Sequence, residues 1–392
     1  MGTIAVIQDE CANVSRRLKL CFVTETYFPE INGVATTVGR LVNGLLARGH
    51  RVQLIRPRQH SNDVQRHANF LEVLPQPGIR IPFYRELKLG LPVSHTLLSL
   101  WRRQAPDLVH IVTEGPLGNA ALRSARRLML PVSSSFHTNF HSYSRHYGFG
   151  LLAAPIVAYL RRFHNRTACT LVPTEELADQ LRTLGFCNTR VLARGVDTRL
   201  FAPARRNWEL RREWGAAPDD PVLLYVGRLA AEKNLELAIQ AFQAARAQCS
   251  KVRLVLVGDG PLAGKLKAHY PRVIFCGVRT GEELATHYAS ADIFMFPSLT
   301  ETFGNVTLEA MASGLAVVAF DYAAAHSHLE QGRSGLLVPI HKQDAFVEAV
   351  KKLVLDTACR QRFKQEARRS VQMFEWEKIY RRLEGIFLEL VR

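Results

Sequence analysis

No two cysteines in this chain stand at Cys-x-x-Cys spacing. Its seven cysteines, Cys11, Cys21, Cys169, Cys187, Cys249, Cys276 and Cys359, are scattered and odd in number. That pattern argues against a zinc ribbon or a disulfide framework and fits reduced thiols in a reducing compartment. Long apolar runs are also missing: the nearly uncharged, apolar stretch at residues 147–160 falls short of the roughly 20 residues that span a bilayer. Asp9, Glu10, Arg16 and Arg17 interrupt any apolar core near the start, so no secretory leader is expected. Val6 stands where a myristoylation signal on Gly2 needs Ser or Thr. There is no low-complexity tract and no fixed-period repeat, which argues against a solenoid or a disordered tail.

Acidic residues are scarce beside basic ones, 35 against 51, leaving a formal charge of +16. The excess lies mostly in residues 1–192, which hold 23 Lys and Arg against 12 Asp and Glu. Such a charge suits an anionic partner, whether nucleic acid, anionic lipid or a phosphate-bearing substrate; the plainer alternative is a solvated basic surface. No aromatic RNP-type or finger signature accompanies it, so no nucleic-acid partner is expected.

The remaining composition, 47% hydrophobic and 22% charged over 392 residues, is that of a globular chain long enough for two sizeable cores. Short apolar runs alternate with amphipathic segments, the mark of a parallel α/β architecture. LKLCFVTETY, RVQLIRP, DLVHIV, PVSSSFH and ACTLVPT read as strands of a first series. The helix TTVGRLVNGLLARGH, closed by Gly49, follows the first of them. PVLLYVGRL, VRLVLVGDGP, VIFCG, IFMFPS and LAVVAF read as a second series, with helices at NLELAIQAFQAARAQ, around 281–289 and around 305–313. Two such series imply two doubly wound, Rossmann-like domains facing across a cleft: residues 1–193, and residues 194–374 entered through a linker at 194–207.

Four segments at strand ends carry candidate chemistry. In SLTETFGNVTLEAMASGLAVVAF, Glu301 and Glu309 bracket seven residues. Phe303 and Gly304 make a turn there, and the amides of Asn305, Val306 and Thr307 open a helix toward an anion. The carboxylates suit sugar or ribose hydroxyls; the alternative is a helix cap with a solvated Glu. In YVGRLAAEKN, Arg228 and Lys233 are two cations on one loop, a natural diphosphate clamp unless they are mere surface charge. In FPEINGVATTV, Gly33 starts a helix where a phosphate can approach. In SSSFHTNFHSYSRHYG, His137 ends a strand; His141 four residues on suggests zinc, but no third ligand follows at suitable spacing. Two weaker signals remain. VGDGP with Ala263 fits a dinucleotide-type pattern, and Val278 with Arg279 offers a wall for a base.

Taken together, the Glu-x7-Glu segment and the Arg/Lys loop resemble the retaining glycosyltransferases of the large group 1 family, number four in the sequence-based scheme. The likeness covers about residues 18–385 and implies the GT-B fold. It implies that Glu301 lies beside the donor sugar and Glu309 holds the ribose hydroxyls. It likewise sets Arg228 and Lys233 on the diphosphate, with His137 touching the sugar. Phe303, Gly304, Asn305 and Val306 would line the donor. The family has Gly-Gly where this chain has Asn32–Gly33. The last helix, about 375–392, is expected to pack back on the N-terminal, acceptor-side domain. No metal or cofactor is expected, the nucleotide sugar being a substrate. A UDP-sugar is the favoured donor, with GDP-mannose open. FGNVTLEAMASG and FHTNFHSYSRHYG resemble the lipid-glycosylating branch, which implies a lipid acceptor such as diacylglycerol at an anionic membrane.

On that basis a peripheral enzyme on the cytoplasmic face of the membrane is expected. Arg145, Tyr147, Phe149, Tyr159, Arg161, Arg162, Phe163 and Arg166 would meet the leaflet. A soluble acceptor, a nucleotide-sugar epimerase and a pyridoxal-phosphate phosphorylase of the same fold remain alternatives.

Overall fold

The computed structural model describes residues 16–30, 32–60, 62–81, 84–137, 153–301 and 303–392, without the side chains of 80–87 and 153. Packing divides the chain into two compact units. One comprises Met1–Ile31, Val38–Ser134 and Glu384–Arg392; the other comprises Asn32–Thr37 and Ser135–Leu383.

In the first unit, β1 (Lys19–Val23), β2 (Arg51–Pro57), β3 (Arg66–Ala68), β4 (Leu71–Gln76), β7 (Leu108–Ile111) and β8 (Val132–Ser135) run in the order β8-β7-β1-β2-β4-β3. All neighbours are parallel except β3 on β4. The buried strands β1, β7 and β8 carry near-continuous apolar or small residues, as a sheet covered on both faces requires. Between β4 and β7, β5 (Gly78–Ile81) and β6 (Tyr84–Gly90) form an antiparallel pair. Asn32 caps the helix Gly33–Ala47 by accepting from the amides of Val34 (3.1 Å) and Ala35 (2.8 Å). Gly49 follows that helix with φ +86°. Glu384, on the C-terminal helix Trp376–Leu390, accepts from Arg48 Nε at 2.8 Å and pairs with His50 Nε2 at 2.9 Å. Phe387 packs edge-on to Phe22.

In the second unit, β9 (Cys169–Val172) lies parallel to β10 (Thr189–Val191). A separate six-stranded parallel sheet contains β11 (Val222–Val226), β12 (Arg253–Val257), β13 (Ile274–Gly277), β14 (Ile293–Phe296), β15 (Ala316–Phe320) and β16 (Gly335–Val338). Its order is β13-β12-β11-β14-β15-β16, so direction of travel reverses between β11 and β14. The chain thus has two Rossmann-like α/β domains with parallel sheets, as the sequence implies. The 194–207 stretch is packed: Arg194 and Phe201 are buried, and the Val196 amide donates to the Phe374 carbonyl at 2.9 Å.

One expectation is corrected here. In the helix Ala153–His164, Leu160 and Phe163 are buried, and Ile156 packs against the apolar cluster to which Leu160, Phe136, Leu181 and Phe186 belong. Phe163 therefore cannot face a leaflet. Arg161, Arg162, Arg166 and Tyr159 are exposed. Arg145, Tyr147, Phe149 and His141 lie outside the described residues.

The second sheet rests on Asp292 at the foot of β14. It is 5% exposed and meets Arg206 (3.0 Å), Arg211 (3.0 Å) and Lys364 (3.1 Å). Burial alone would raise its carboxyl; the three cations outweigh burial and hold it below the usual range. Asp292→Asn should cost about 3–5 kcal/mol in denaturant unfolding at neutral pH, because the buried Arg211 and the partly buried Arg206 and Lys364 lose their counter-charge. Since the folded value lies below the unfolded value of about 3.9, that stabilisation is complete above it and fades as acid protonates the folded carboxylate. The gap between wild type and variant should therefore close in acid; a gap unchanged with pH contradicts the assignment.

Candidate functional site

Ligands of doubly wound sheets bind past the carboxyl ends of strands where the order reverses. Here that point lies between β11 and β14, and the loops leaving these two strands carry Arg228, Lys233 and Glu301.

The loop after β11 is held from below. Tyr225 donates its hydroxyl to the Arg228 carbonyl at 3.1 Å. Burial first, then the nearby Glu301 and Glu232, push that phenol well above its ordinary value, so it remains a donor. The glycines of VGDGP support the same loop. A Cβ on Gly258 would sit 2.0 Å from the Gly227 carbonyl oxygen, and one on Gly260 would sit 2.6 Å from that of Leu229. The Leu229 amide donates to Asp259 (2.9 Å), and the Leu229 carbonyl accepts from Leu262 (2.9 Å). These glycines serve close backbone packing, which accounts for the dinucleotide-like spacing. Arg228 is exposed, with no carboxylate paired to it among the described residues. Lys233 ends a short turn before the helix Leu235–Gln248.

The loop after β14 comes to meet it. The Leu299 amide donates to the Glu232 carbonyl at 2.9 Å. Lys233 Nζ forms a short ion pair with Glu301 Oε1, each side chain 16% exposed. Ser298 Oγ donates to the same oxygen at 3.0 Å. Tyr322 donates to the Ser298 carbonyl at 2.8 Å and so anchors the loop. Phe303 is buried, and Gly304 adopts φ +90°, a left-handed turn that a side chain would strain.

The helix Asn305–Ala312 starts there. Thr307 departs from expectation: its amide donates to the Gly304 carbonyl (3.0 Å) and is spent. The amides of Asn305 and Val306 have no acceptor among the described residues. One turn on, Glu309 Oε2 accepts from the buried Tyr288 hydroxyl at 3.0 Å. Burial and the Glu309 charge push that phenol well above its ordinary value, so it stays a donor and orients the carboxylate.

Gly33 and His137 come together through a residue the sequence reading missed. Arg194 is buried; its Nη2 donates to His137 Nδ1 at 3.0 Å, and its Nη1 reaches Thr37 Oγ1 and the Gly33 carbonyl. Its guanidinium also lies 5.7 Å from the centre of the Phe303 ring. The two remaining candidates follow β13: Val278 is exposed, and Arg279 pairs with Glu283 at 3.0 Å. Among the described residues no group of three His, Cys, Asp or Glu side chains is placed to hold a metal.

Residues 220–356 match the family model described as Glycosyl transferases group 1, and residues 31–200 that described as Glycosyltransferase Family 4. A GDP-mannose-dependent alpha-mannosyltransferase of Mycobacterium tuberculosis is 34% identical over 379 residues, covering 96% of this chain and 97% of that protein. An alpha-monoglucosyldiacylglycerol synthase of Streptococcus pneumoniae is 29% identical, covering 77% of this chain and 71% of that protein. Among solved structures, sucrose-phosphate synthase from Thermosynechococcus elongatus superposes with a TM-score of 0.79 over 95% of this chain and 99% of that one, at 21% identity, a likeness of fold.

The packing role of VGDGP has a direct check. Gly258→Ala puts a methyl against a backbone carbonyl at φ +135° and should lower stability by about 2–4 kcal/mol. Gly264→Ala, where nothing lies within 4 Å of the added carbon, should be neutral or stabilise by up to about 1 kcal/mol. Equal denaturation midpoints for the two variants would contradict this reading.

Proposed function

Because the chain belongs to the group 1, family 4 glycosyltransferases, which use nucleotide sugars, we propose that it transfers a hexose to a membrane lipid such as diacylglycerol, with retention at the anomeric carbon. The observation that carries the donor site is the meeting of Lys233 with Glu301 where the strand order reverses. The 34% identical relative is named as GDP-mannose dependent, which sets GDP-mannose ahead of the UDP-sugar the sequence favours. The name of the Streptococcus relative supports a diacylglycerol-based acceptor.

In this reading the bond between the anomeric carbon and the β-phosphate oxygen breaks, and its electron pair goes to that oxygen. Arg228, Lys233 and the amides of Asn305 and Val306 stabilise the charge that develops there. The acceptor oxygen bonds to the anomeric carbon on the same face, and its proton passes to the leaving phosphate. Glu301 and His137 hold the sugar, Glu309 the ribose. The proposal assigns no resident metal or cofactor.

Arg228→Ala and Lys233→Ala should each lower turnover by about 10²-fold or more, the effect of losing one preorganised donor to a developing oxyanion. Glu309→Ala should weaken binding of free GDP or UDP measured by calorimetry, whereas Glu301→Ala should chiefly lower turnover. Equal loss of free-nucleotide affinity in both carboxylate variants contradicts the roles given.

No helix among the described residues is long and apolar enough to cross a membrane. The proposal places the protein at the cytoplasmic face, held by exposed Arg161, Arg162 and Arg166 with Tyr159 beside them. Each basic residue near an anionic surface contributes about 1 kcal/mol. In vesicle flotation, binding should rise with anionic lipid, fall with salt, and drop when the three arginines become Glu. A protein that never floats with anionic vesicles at low salt favours a soluble acceptor instead.

A further inference from the structure

Arg194 lies three residues beyond β10 and is 6% exposed. No carboxylate pairs with it among the described residues, and burial pushes its guanidinium down to about 10, still protonated at neutral pH. An uncompensated buried cation is costly, so its hydrogen bonds must repay its presence. They reach two separate segments. Nη1 holds Thr37 Oγ1 and, at 3.3 Å, the Gly33 carbonyl; the Thr37 hydroxyl itself donates to that carbonyl at 2.7 Å. Nη2 donates to His137 Nδ1 at 3.0 Å. A guanidinium has donors and no acceptor, so the His137 nitrogen facing it must be the unprotonated one.

We infer that Arg194 is a positioning residue that fixes His137 as the Nε2–H tautomer, making the imidazole a hydrogen-bond donor and barring it from acting as a general base. With Nδ1 turned to a permanent cation, the ring has no site at which to take a second proton without placing two positive charges in contact. The same guanidinium ties the Gly33 turn and His137 into one rigid group beside Phe303. The functional half of this inference rests on the proposed reading of His137 as a contact of the donor sugar.

The test uses the full chain labelled with 15N-histidine. Two-bond proton–nitrogen spectra at neutral pH report each ring's tautomer, and the His137 signals are those lost in His137→Gln. The expected result is an Nε2–H pattern for His137 in the unmutated protein and a mixture of tautomers in Arg194→Met. An Nδ1–H or doubly protonated His137 in the unmutated protein overturns the inference, and this readout requires no folded Arg194 variant. In turnover, Arg194→Met should lower kcat about 10- to 100-fold, the cost of one misplaced hydrogen bond in the transition state, with GDP or UDP affinity little changed. Arg194→Lys, which keeps a donor for Nδ1, should recover part of that loss. In a His137→Ala background Arg194→Met should add little, because both changes remove one interaction. Fully additive losses overturn the positioning role. A silent His137→Ala overturns the donor-site reading of His137 and the function of Arg194 with it, whereas a wrong tautomer overturns the Arg194 role alone.

Discussion

Lys233 and Glu301 hold each other across the point where the second sheet reverses its strand order. In a doubly wound sheet the loops on either side of that point diverge, which leaves room for a ligand and also leaves two strand ends to be kept in register. The ion pair does this, with the Leu299–Glu232 backbone bond beside it. It also stores two chemistries in one contact. Under the proposed function a diphosphate takes over the lysine and sugar hydroxyls the carboxylate, so that donor binding would exchange one set of charge-assisted bonds for another instead of exposing unpaired charge.

Around that contact the protein spends its glycines and tyrosines on rigidity. Gly258 and Gly260 let one loop press against the Arg228 loop with no side chain between. Tyr225, Tyr288 and Tyr322 each donate a hydroxyl into the site's framework, to the Arg228 carbonyl, to Glu309 and to the Ser298 carbonyl. Burial keeps all three phenols protonated, so these supports do not change over any ordinary pH. Arg194 does the corresponding work for Gly33 and His137.

The parts of this arrangement that are local in sequence could be read from it. The strands of the second sheet are short, fully apolar runs, and Arg228, Lys233, Glu301 and Glu309 stand at fixed spacings from them. The supports are not local. Arg194 sits in a stretch whose composition reads as a linker, and its partners Thr37 and His137 are 157 and 57 residues away. The Thr307 amide was expected to face a ligand; only the left-handed turn at Gly304 brings a carbonyl back to it. Phe163 lies among arginines in sequence, and the helical turn that sends those arginines outward sends it into the core. Strands β3 to β6 are broken up by Pro75, Gly78, Arg85, Glu86 and Lys88, so they show no apolar run of the kind that marks the other strands.

The central claim is that this chain joins a sugar from a nucleotide diphosphate to a lipid. The most direct measurement incubates the pure protein with GDP-mannose, UDP-glucose, UDP-galactose or UDP-glucuronate and mixed-lipid vesicles containing diacylglycerol, followed by mass spectrometry of the extracted lipids. The account predicts one new lipid heavier by one hexose residue, with one nucleoside diphosphate released per sugar moved, and GDP-mannose as the donor that gives it. Lipids unchanged with every donor, while a soluble sugar acceptor becomes glycosylated, would contradict it.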